Sequence, residues 1–185
     1  MLFPGKRRDN PHALFVGMID IRLGDRVAQI GCADGGRLAA IAAKVGLSGR
    51  AVAIVNDDAS AARAKKGAEQ AGVLVEIERS PMTTLPLDDG SIDLVVIDDT
   101  GGLFSTAKPE SRAASVKEVL RVLRPGGRVM VVGTAARAGL GALLSRSQNP
   151  SVDPEPWLQS DGFSAVRRLA EREQLLFVEG IKPRQ

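Results

Sequence analysis

The chain has 185 residues, 44% of them hydrophobic and 25% charged, and carries a formal net charge of +3 at pH 7. This size and balance are typical of one soluble globular domain, and no apolar run approaches the ~18 residues that a membrane span requires. One cysteine excludes an internal disulfide and a cysteine-based zinc cluster, and the low aromatic content of 3% argues against base stacking. We therefore expect a single cytoplasmic domain over residues 1–185 with no nucleic-acid partner.

The predicted helices and strands alternate along most of the chain. Residues 1–23 contain a lead-in helix over 11–22, and Asp58 is the predicted N-cap of a later helix. The strands are predicted at 26–30, 51–55, 73–77, 92–97 and 128–132, with helices at 36–45, 59–71 and 113–123. Such alternation is typical of a parallel sheet with right-handed crossovers.

The last third of the chain departs from this rhythm. Three prolines lie in a predicted loop over 146–160, which we expect to lie over the functional site. Two strand-like runs follow at 164–169 and 175–179, joined by a link too short for a parallel crossover. The sequence therefore predicts an α/β fold, with an antiparallel hairpin at the edge of a mostly parallel sheet.

A turn with three glycines, Gly31-Cys32-Ala33-Asp34-Gly35-Gly36, joins the first predicted strand to the next helix. Glycine lets a backbone turn tightly and approach a ligand without a side chain in the way. At a strand-to-helix junction, free backbone N–H groups point toward a polar or anionic ligand. The turn is therefore a candidate nucleotide-type site, although its spacing matches neither the dinucleotide fingerprint nor the P-loop.

Four segments in order carry a resemblance to a known family. They are Gly24-Asp25-Arg26-Val27 through Gly35, the run 85–95 (LPLDDGSIDLV), the run 118–127 (EVLRVLRPGG) and Asp161-Gly162-Phe163. In these segments the chain resembles the class I S-adenosylmethionine (SAM)-dependent methyltransferases, in particular the small-molecule branch related to ubiquinone and menaquinone C-methyltransferases. The resemblance covers roughly residues 20 to 182. It implies a Rossmann-like, doubly wound seven-stranded sheet, SAM as cofactor and methyl transfer to a small-molecule acceptor.

The resemblance also assigns residues to the cofactor. In this family the turn after the first strand wraps the methionine and sugar of SAM, which here implies Gly31, Cys32, Ala33 and Gly35 as cofactor-binding residues. Ala33 stands where the family usually has a second glycine. We expect Gly31→Val to abolish cofactor binding and to leave the protein folded.

Two acidic positions of the family are replaced in this chain. The acid that accepts hydrogen bonds from the ribose hydroxyls corresponds to Val55, which cannot accept one. A slip of one or two residues would bring Asn56 or Asp57 to the sugar; alternatively, these residues form only the polar turn and cap of the next helix. The acid that reads adenine in many relatives corresponds to Pro81, and Met82 beside it can cover the adenine face.

Asp98 and Asp99 follow the fourth predicted strand, at the sheet edge where open parallel sheets bind ligands. Asp98 is a candidate cofactor contact, and both are candidate catalytic bases. The sequence offers no complete oxygen-ligand set, so we predict no metal.

The replaced acids leave a second hypothesis open. In this alternative, the chain is a catalytically degenerate methyltransferase-like binding or scaffold protein with weak or no SAM binding. In the first hypothesis the partner is a small-molecule methyl acceptor. Neither hypothesis includes a membrane span, and a homodimer stays open in both.

Overall fold

The structure, a computed structural model, describes residues 12–135 and 153–184. Its strands are β1 (Arg26–Ile30), β2 (Arg50–Val55), β3 (Glu76–Arg79), β4 (Ile92–Asp98), β5 (Leu123–Thr134), β6 (Ser164–Arg172) and β7 (Leu175–Ile181). Its helices are α1 (Ala13–Ile19), α2 (Gly35–Val45), α3 (Asp58–Ala71), α4 (Pro109–Val122) and α5 (Glu155–Ser160).

The strands form one seven-stranded sheet in the order β3-β2-β1-β4-β5-β7-β6. Strands β1 to β5 run parallel to one another, whereas β7 pairs antiparallel with both β5 and β6. The predicted fold class, a mostly parallel α/β sheet with an antiparallel C-terminal hairpin, is confirmed.

Apolar side chains cover both faces of this sheet. On one face, residues of α4 and α5 such as Val119 and Leu158 pack against Ile30 and Ile97. On the other face, α1 and α2 pack against side chains of alternate strand positions such as Val96. Because both faces are covered, the central strands are apolar at nearly every position. Among the described helices, none combines the length and apolar character that crossing a bilayer needs.

Several element boundaries differ from the predicted ones. The N-cap of α3 is Asp57 rather than Asp58, since the Asp57 carboxylate accepts a hydrogen bond from the Ser60 N–H at 2.6 Å. Strand β3 begins at Glu76, three residues after the predicted start, because Val73 and Val75 pack against the core ahead of the strand. The edge strand itself is largely exposed and charged, as is common for sheet edges.

Strand β5 also begins earlier than predicted, at Leu123. The Pro-Gly-Gly run is included because Gly126 N–H donates to Lys182 O, and Lys182 N–H donates to Gly127 O. These bonds extend the ladder toward the C-terminal end of the chain.

Of the span predicted as a proline-rich loop, residues 155–160 form α5, whereas 146–152 lie outside the described residues, as do residues 1–11 of the predicted lead-in segment. Whether that span covers the site stays a prediction.

The Asp93 carboxylate joins three neighbouring strands near their amino-terminal ends, at the opposite end of the sheet from the glycine turn. It accepts hydrogen bonds from Arg26 N–H at 2.8 Å and Arg26 Nε at 3.1 Å, both from β1. It also accepts one from Arg124 Nε of β5 at 2.5 Å. Partial burial raises the pKa of Asp93, but these hydrogen bonds outweigh it and lower the pKa from 3.8 to about 2.

A carboxyl group whose pKa is lower in the folded than in the unfolded state stabilises the protein at pH values above the unfolded-state pKa. This stabilisation is lost as the pH falls through the folded-state pKa. We therefore expect the free energy of unfolding to fall by about 2 kcal/mol through this group as the pH drops from about 4 toward 2. In Asp93→Asn that part of the pH dependence should disappear, as measured by urea unfolding at several pH values. Asp20→Asn is the control, because the Asp20 carboxylate is exposed and lies 4.0 Å from the exposed Arg22 guanidinium. An unchanged acid profile in Asp93→Asn would contradict this account.

Helices α2 and α3 approach each other closely at a pair of glycines. A Cβ built on Gly67 would collide with the Gly35 carbonyl, and one built on Gly35 would collide with the Arg63 carbonyl. The two backbones can pack at this distance only because neither residue has a side chain. This contact fixes the start of α2, which follows directly on the glycine turn.

Glycine to alanine substitutions should therefore have opposite effects at two helical positions. Gly67→Ala should lower the free energy of unfolding by about 2 kcal/mol, because overpacking outweighs the better helix propensity of alanine. Gly17→Ala, where no atom lies within 4 Å of the added Cβ, should raise it by up to about 1 kcal/mol. Thermal and urea unfolding measure both. A Gly67→Ala protein as stable as Gly17→Ala would show that the close helix contact is absent.

Candidate cofactor site

A hollow of about 160 Å³ lies at the carboxyl edge of the sheet, beside the ends of β1, β2 and β4. The chain order reverses between β1 and β4, and such switch points are where open α/β sheets bind ligands. The residues that line the hollow are Gly31, Cys32, Ala33, Asn56, Asp57, Ser60, Arg63, Asp98, Gly101 and Leu103.

The glycine turn begins at Gly31, whose φ of +80° is strained for residues with a side chain. A Cβ on Gly31 would lie 2.9 Å from Leu103 Cδ2 and 3.1 Å from the Asp98 carbonyl oxygen. Gly31→Val would therefore strain the backbone and disturb its neighbours. It is a poor test of binding, because a loss of binding could not be separated from a loss of folding.

Several backbone amides of this turn already have partners within the protein. Gly31 N–H donates to Ile54 O at 2.8 Å, Ala33 N–H to Asp98 Oδ2 at 3.1 Å, and Gly36 N–H to Asp34 Oδ1 at 2.8 Å. Asp34 thereby acts as the N-cap of α2. Most polar contacts to a ligand must consequently come from groups other than these three amides.

Asp98 holds the turn in place. Its side chain is 3% exposed, and besides the Ala33 N–H it accepts a hydrogen bond from Thr100 Oγ1 at 2.6 Å. An Arg37 guanidinium nitrogen lies 3.4 Å from Asp98 Oδ1. Arg37 is itself buried, and its Nε has no hydrogen-bond partner among the described residues. The carboxylate thus joins β4 to the glycine turn and to α2.

Asp99 does not line the hollow. Its carboxylate accepts hydrogen bonds from Phe104 N–H at 2.6 Å and Ser105 N–H at 3.1 Å. Burial raises the pKa of Asp99, against the opposing effect of these hydrogen bonds. Its role in the structure is to hold the segment 100–107 that follows β4. That either Asp98 or Asp99 acts as a catalytic base stays a prediction.

Cys32 contributes packing and a carbonyl group to the site. Its side chain is buried with Leu38, Ala53 and Val55, and burial raises the pKa of the thiol to about 11. The thiol is therefore protonated at neutral pH and a weak nucleophile. The Cys32 carbonyl accepts a hydrogen bond from Arg63 Nε at 2.7 Å.

The end of β2 shows what becomes of the ribose-binding position. Val55 is 1% exposed and packs in the core, so no polar group is presented there. The Asp57 carboxylate is engaged by Ser60, from N–H at 2.6 Å and Oγ at 3.1 Å, and these hydrogen bonds lower its pKa. Asn56 is exposed, lines the hollow, and makes no side-chain hydrogen bond within the described ranges.

The structure brings six of the nine predicted cofactor residues to the hollow: Gly31, Cys32, Ala33, Asn56, Asp57 and Asp98. Three others lie elsewhere. Gly35 packs against α3, Val55 is in the core, and Met82 packs on the sheet face beside Leu103. Their contact with a cofactor stays a prediction.

Sequence reasoning missed four of the residues that line the hollow: Ser60, Arg63, Gly101 and Leu103. Ser60 and Arg63 lie in the first two turns of α3, directly after a strand end, and that position is the pattern that could have found them. No side-chain cluster suited to a metal ion is present in residues 12–135 and 153–184.

The family model described as "Methyltransferase domain" matches residues 27–127, which include the glycine turn, β2, β4 and α4. The chain belongs to this methyltransferase family. It is a class I family, and SAM is its cofactor.

The chain also has a relative among curated proteins. The chain is 34% identical over 119 residues to an "Uncharacterized 37.1 kDa protein in transposon TN4556" of Streptomyces fradiae, covering 64% of this chain and 33% of that protein. The chain thus spans about a third of the length of this curated relative.

Two solved structures show the likeness in fold. A SAM-dependent methyltransferase from Aquifex aeolicus has 18% identity and a TM-score of 0.70, with 91% of this chain and 87% of that chain covered. A SAM-dependent methyltransferase from Methanosarcina mazei has 19% identity and a TM-score of 0.64, with 94% and 98% covered. At these identities the likeness is one of fold alone.

The hollow of this methyltransferase-family chain fits an adenosyl ligand in position and chemistry. Small side chains line the turn, and the Asn56 amide, which has no side-chain partner in residues 12–135 and 153–184, can both donate to and accept from hydroxyl groups. The volume of the hollow, about 160 Å³, is smaller than the roughly 300–1,000 Å³ of most small-molecule sites. The lining residues therefore suit the cofactor, but the volume of the hollow is too small to hold the whole SAM molecule.

Removal of the Asp98 carboxylate should destabilise the fold through Arg37. In Asp98→Ala the buried guanidinium loses its nearer carboxylate and keeps the partly exposed Asp34 carboxylate, 3.8 Å from its Nε, which should cost about 3 kcal/mol of unfolding free energy. Asp58→Ala is the control, because the Asp58–Arg79 pair is exposed and should contribute less than about 1 kcal/mol. Urea unfolding compares the two. Similar losses in both variants would mean that Asp98 does not hold the turn as described.

Proposed function

We propose that this chain binds SAM in the hollow beside the glycine turn and transfers the methyl group to a small-molecule acceptor. The observation that carries the proposal is the meeting of the turn at Gly31–Ala33 with the exposed Asn56 amide at one sheet edge. Membership of the methyltransferase family supports it. The fold by itself does not, because one fold can serve many functions.

Asn56 is our candidate for the ribose contact. The resemblance places the ribose-binding acid at Val55, which is buried, and the Asp57 carboxylate is taken up by Ser60. Asn56 alone among these three residues presents a polar side chain with no partner in the described part of the chain. We assign to it the hydrogen bonds to the sugar, and to the Gly31–Ala33 turn the van der Waals contact with the rest of the adenosyl group.

When bound, SAM supplies a methyl group on a sulfonium, which is already a good leaving group. The protein then contributes mainly alignment of the acceptor with that group. A protein base is needed only if the acceptor must lose a proton. Both acidic candidates have their carboxylates occupied by protein donors, Asp98 by Ala33, Thr100 and Arg37, and Asp99 by Phe104 and Ser105. We therefore favour acceptors that carry a free lone pair before transfer, such as amines or ionised hydroxyls.

A second candidate function is that of a methyltransferase-like binding or scaffold protein without catalysis. The buried Val55 and the small volume of the hollow favour it. Calorimetric titration with SAM and S-adenosylhomocysteine separates the two candidates. Micromolar affinity would support the enzyme, whereas no binding at millimolar ligand would favour the scaffold.

Substitution of Asn56 tests the assignment of the ribose contact. Asn56→Ala should weaken S-adenosylhomocysteine binding by about three- to tenfold, the usual effect of one lost hydrogen bond. Because the side chain is exposed and unpaired within the described residues, the variant should keep the stability of the parent protein. Asp58→Ala is the matched control, since Asp58 is a nearby exposed residue that does not line the hollow. Equal affinities for Asn56→Ala and Asp58→Ala would refute the assignment.

A further inference from the structure

One of the side chains that line the hollow, Leu103, lies directly against the glycine turn. Leu103 is only half-buried, and its Cδ2 lies within 2.9 Å of where a Cβ on Gly31 would be. Leu103 thus occupies the space that the missing side chain of Gly31 leaves open. The neighbouring Gly101 also lies against the turn, with its own Cβ position 3.6 Å from Ala33 Cβ.

The segment that carries Leu103 is held on both sides of it. On one side, Thr100 Oγ1 donates to Asp98 Oδ1 at 2.6 Å. On the other, the Phe104 N–H donates to Asp99 Oδ1 at 2.6 Å, and the Phe104 ring stacks on Trp157 with ring centroids 6.1 Å apart. Between these two anchors lie only Gly101, Gly102 and Leu103. Gly102 is held as well, because its N–H donates to Asp99 O at 2.9 Å and its carbonyl accepts from Thr106 Oγ1 at 2.6 Å. The Leu103 side chain can therefore change its rotamer while the backbone of the segment stays in place.

We propose that Leu103 is the residue that limits occupancy of the cofactor site. Its side chain fills the part of the hollow next to Gly31, and an adenosyl ligand the size of SAM displaces it. This inference rests on the proposed function, because it concerns the same ligand at the same site. Displacement of a half-buried leucine removes apolar contacts, so it reduces the affinity that the site would otherwise have.

The test compares S-adenosylhomocysteine affinity in two leucine variants by calorimetry. Leu103→Ala should bind the ligand about five- to tenfold more tightly than the parent protein, since no side chain has to be displaced. Leu120→Ala is the matched control. Leu120 is also half-buried and packs against the same core cluster, but it lies on α4 and does not line the hollow. Its affinity should stay within about twofold of the parent value.

Fluorescence provides a second readout that does not depend on affinity. Trp157 is the only tryptophan of the chain, and it stacks on Phe104 next to Leu103. Saturating S-adenosylhomocysteine should change the Trp157 emission of the parent protein, and the change should be smaller in Leu103→Ala. If Leu103→Ala does not fold, as judged by thermal unfolding, Leu103→Val replaces it, with about two- to threefold tighter binding expected.

The outcomes separate this inference from the proposed function. If the parent protein binds S-adenosylhomocysteine and the trimmed Leu103 variant binds it no more tightly, the role of Leu103 is overturned and the proposed function stands. Equal gains in the Leu103 and Leu120 variants would also overturn it. If neither the parent nor any variant binds at millimolar ligand, the proposed function fails, and this inference fails with it.

Discussion

The buried carboxylate of Asp98 is the interaction on which the cofactor site depends. It stands at the end of β4 and accepts the Ala33 N–H of the glycine turn, so it fixes the turn relative to the sheet. The same carboxylate pairs with Arg37 of α2 and with Thr100 at the start of the next segment. A buried charge is tolerated only when it is paired and hydrogen-bonded, and here the partners come from the glycine turn, from α2 and from the segment after β4. Folding of the core and shaping of the site are therefore coupled through one side chain.

This arrangement explains how the chain can keep the family's fold while it departs from the family's polar contacts. The hydrogen bond from Ala33 N–H to the Asp98 carboxylate holds the turn, so the shape of the turn does not depend on the middle glycine that Ala33 replaces. Because Val55 stands at the family's acidic position and is buried, the side chain that we propose for the sugar contact is a neutral amide, Asn56, in place of a carboxylate. A neutral contact is weaker than a charge-assisted one, and Leu103 reduces the room as well. We therefore expect this site to bind its ligand more weakly than a site that keeps the family's acids.

The sheet could be predicted from the sequence because its central strands are buried on both faces and are therefore apolar at nearly every position. Residues 92–97 are nearly all apolar, and the strand was located to within a residue. The prediction of strand bounds failed where apolar residues are buried for a reason other than lying in a strand. Residues 73–77 were read as a strand because they are apolar, but Val73 and Val75 pack from a loop, and the edge strand that follows is charged. Arg37 and Leu103 were missed for a related reason. An arginine in a helix and a leucine in a glycine-rich segment look solvent-exposed until the fold places them at a buried carboxylate and over Gly31.

The central claim is that an adenosyl ligand binds at the carboxyl edge of the sheet between the glycine turn and Asn56. The most direct measurement is a titration of isotope-labelled protein with S-adenosylhomocysteine, followed by the backbone amide resonances in NMR spectra. The account predicts saturable shifts for residues 31–35, for Asn56 and for residues 101–104. It predicts none for Leu47 and Leu74, exposed residues in the loops that lead into β2 and β3 at the opposite edge of the sheet. Shifts confined to that opposite edge, or no shifts at millimolar ligand, would contradict it.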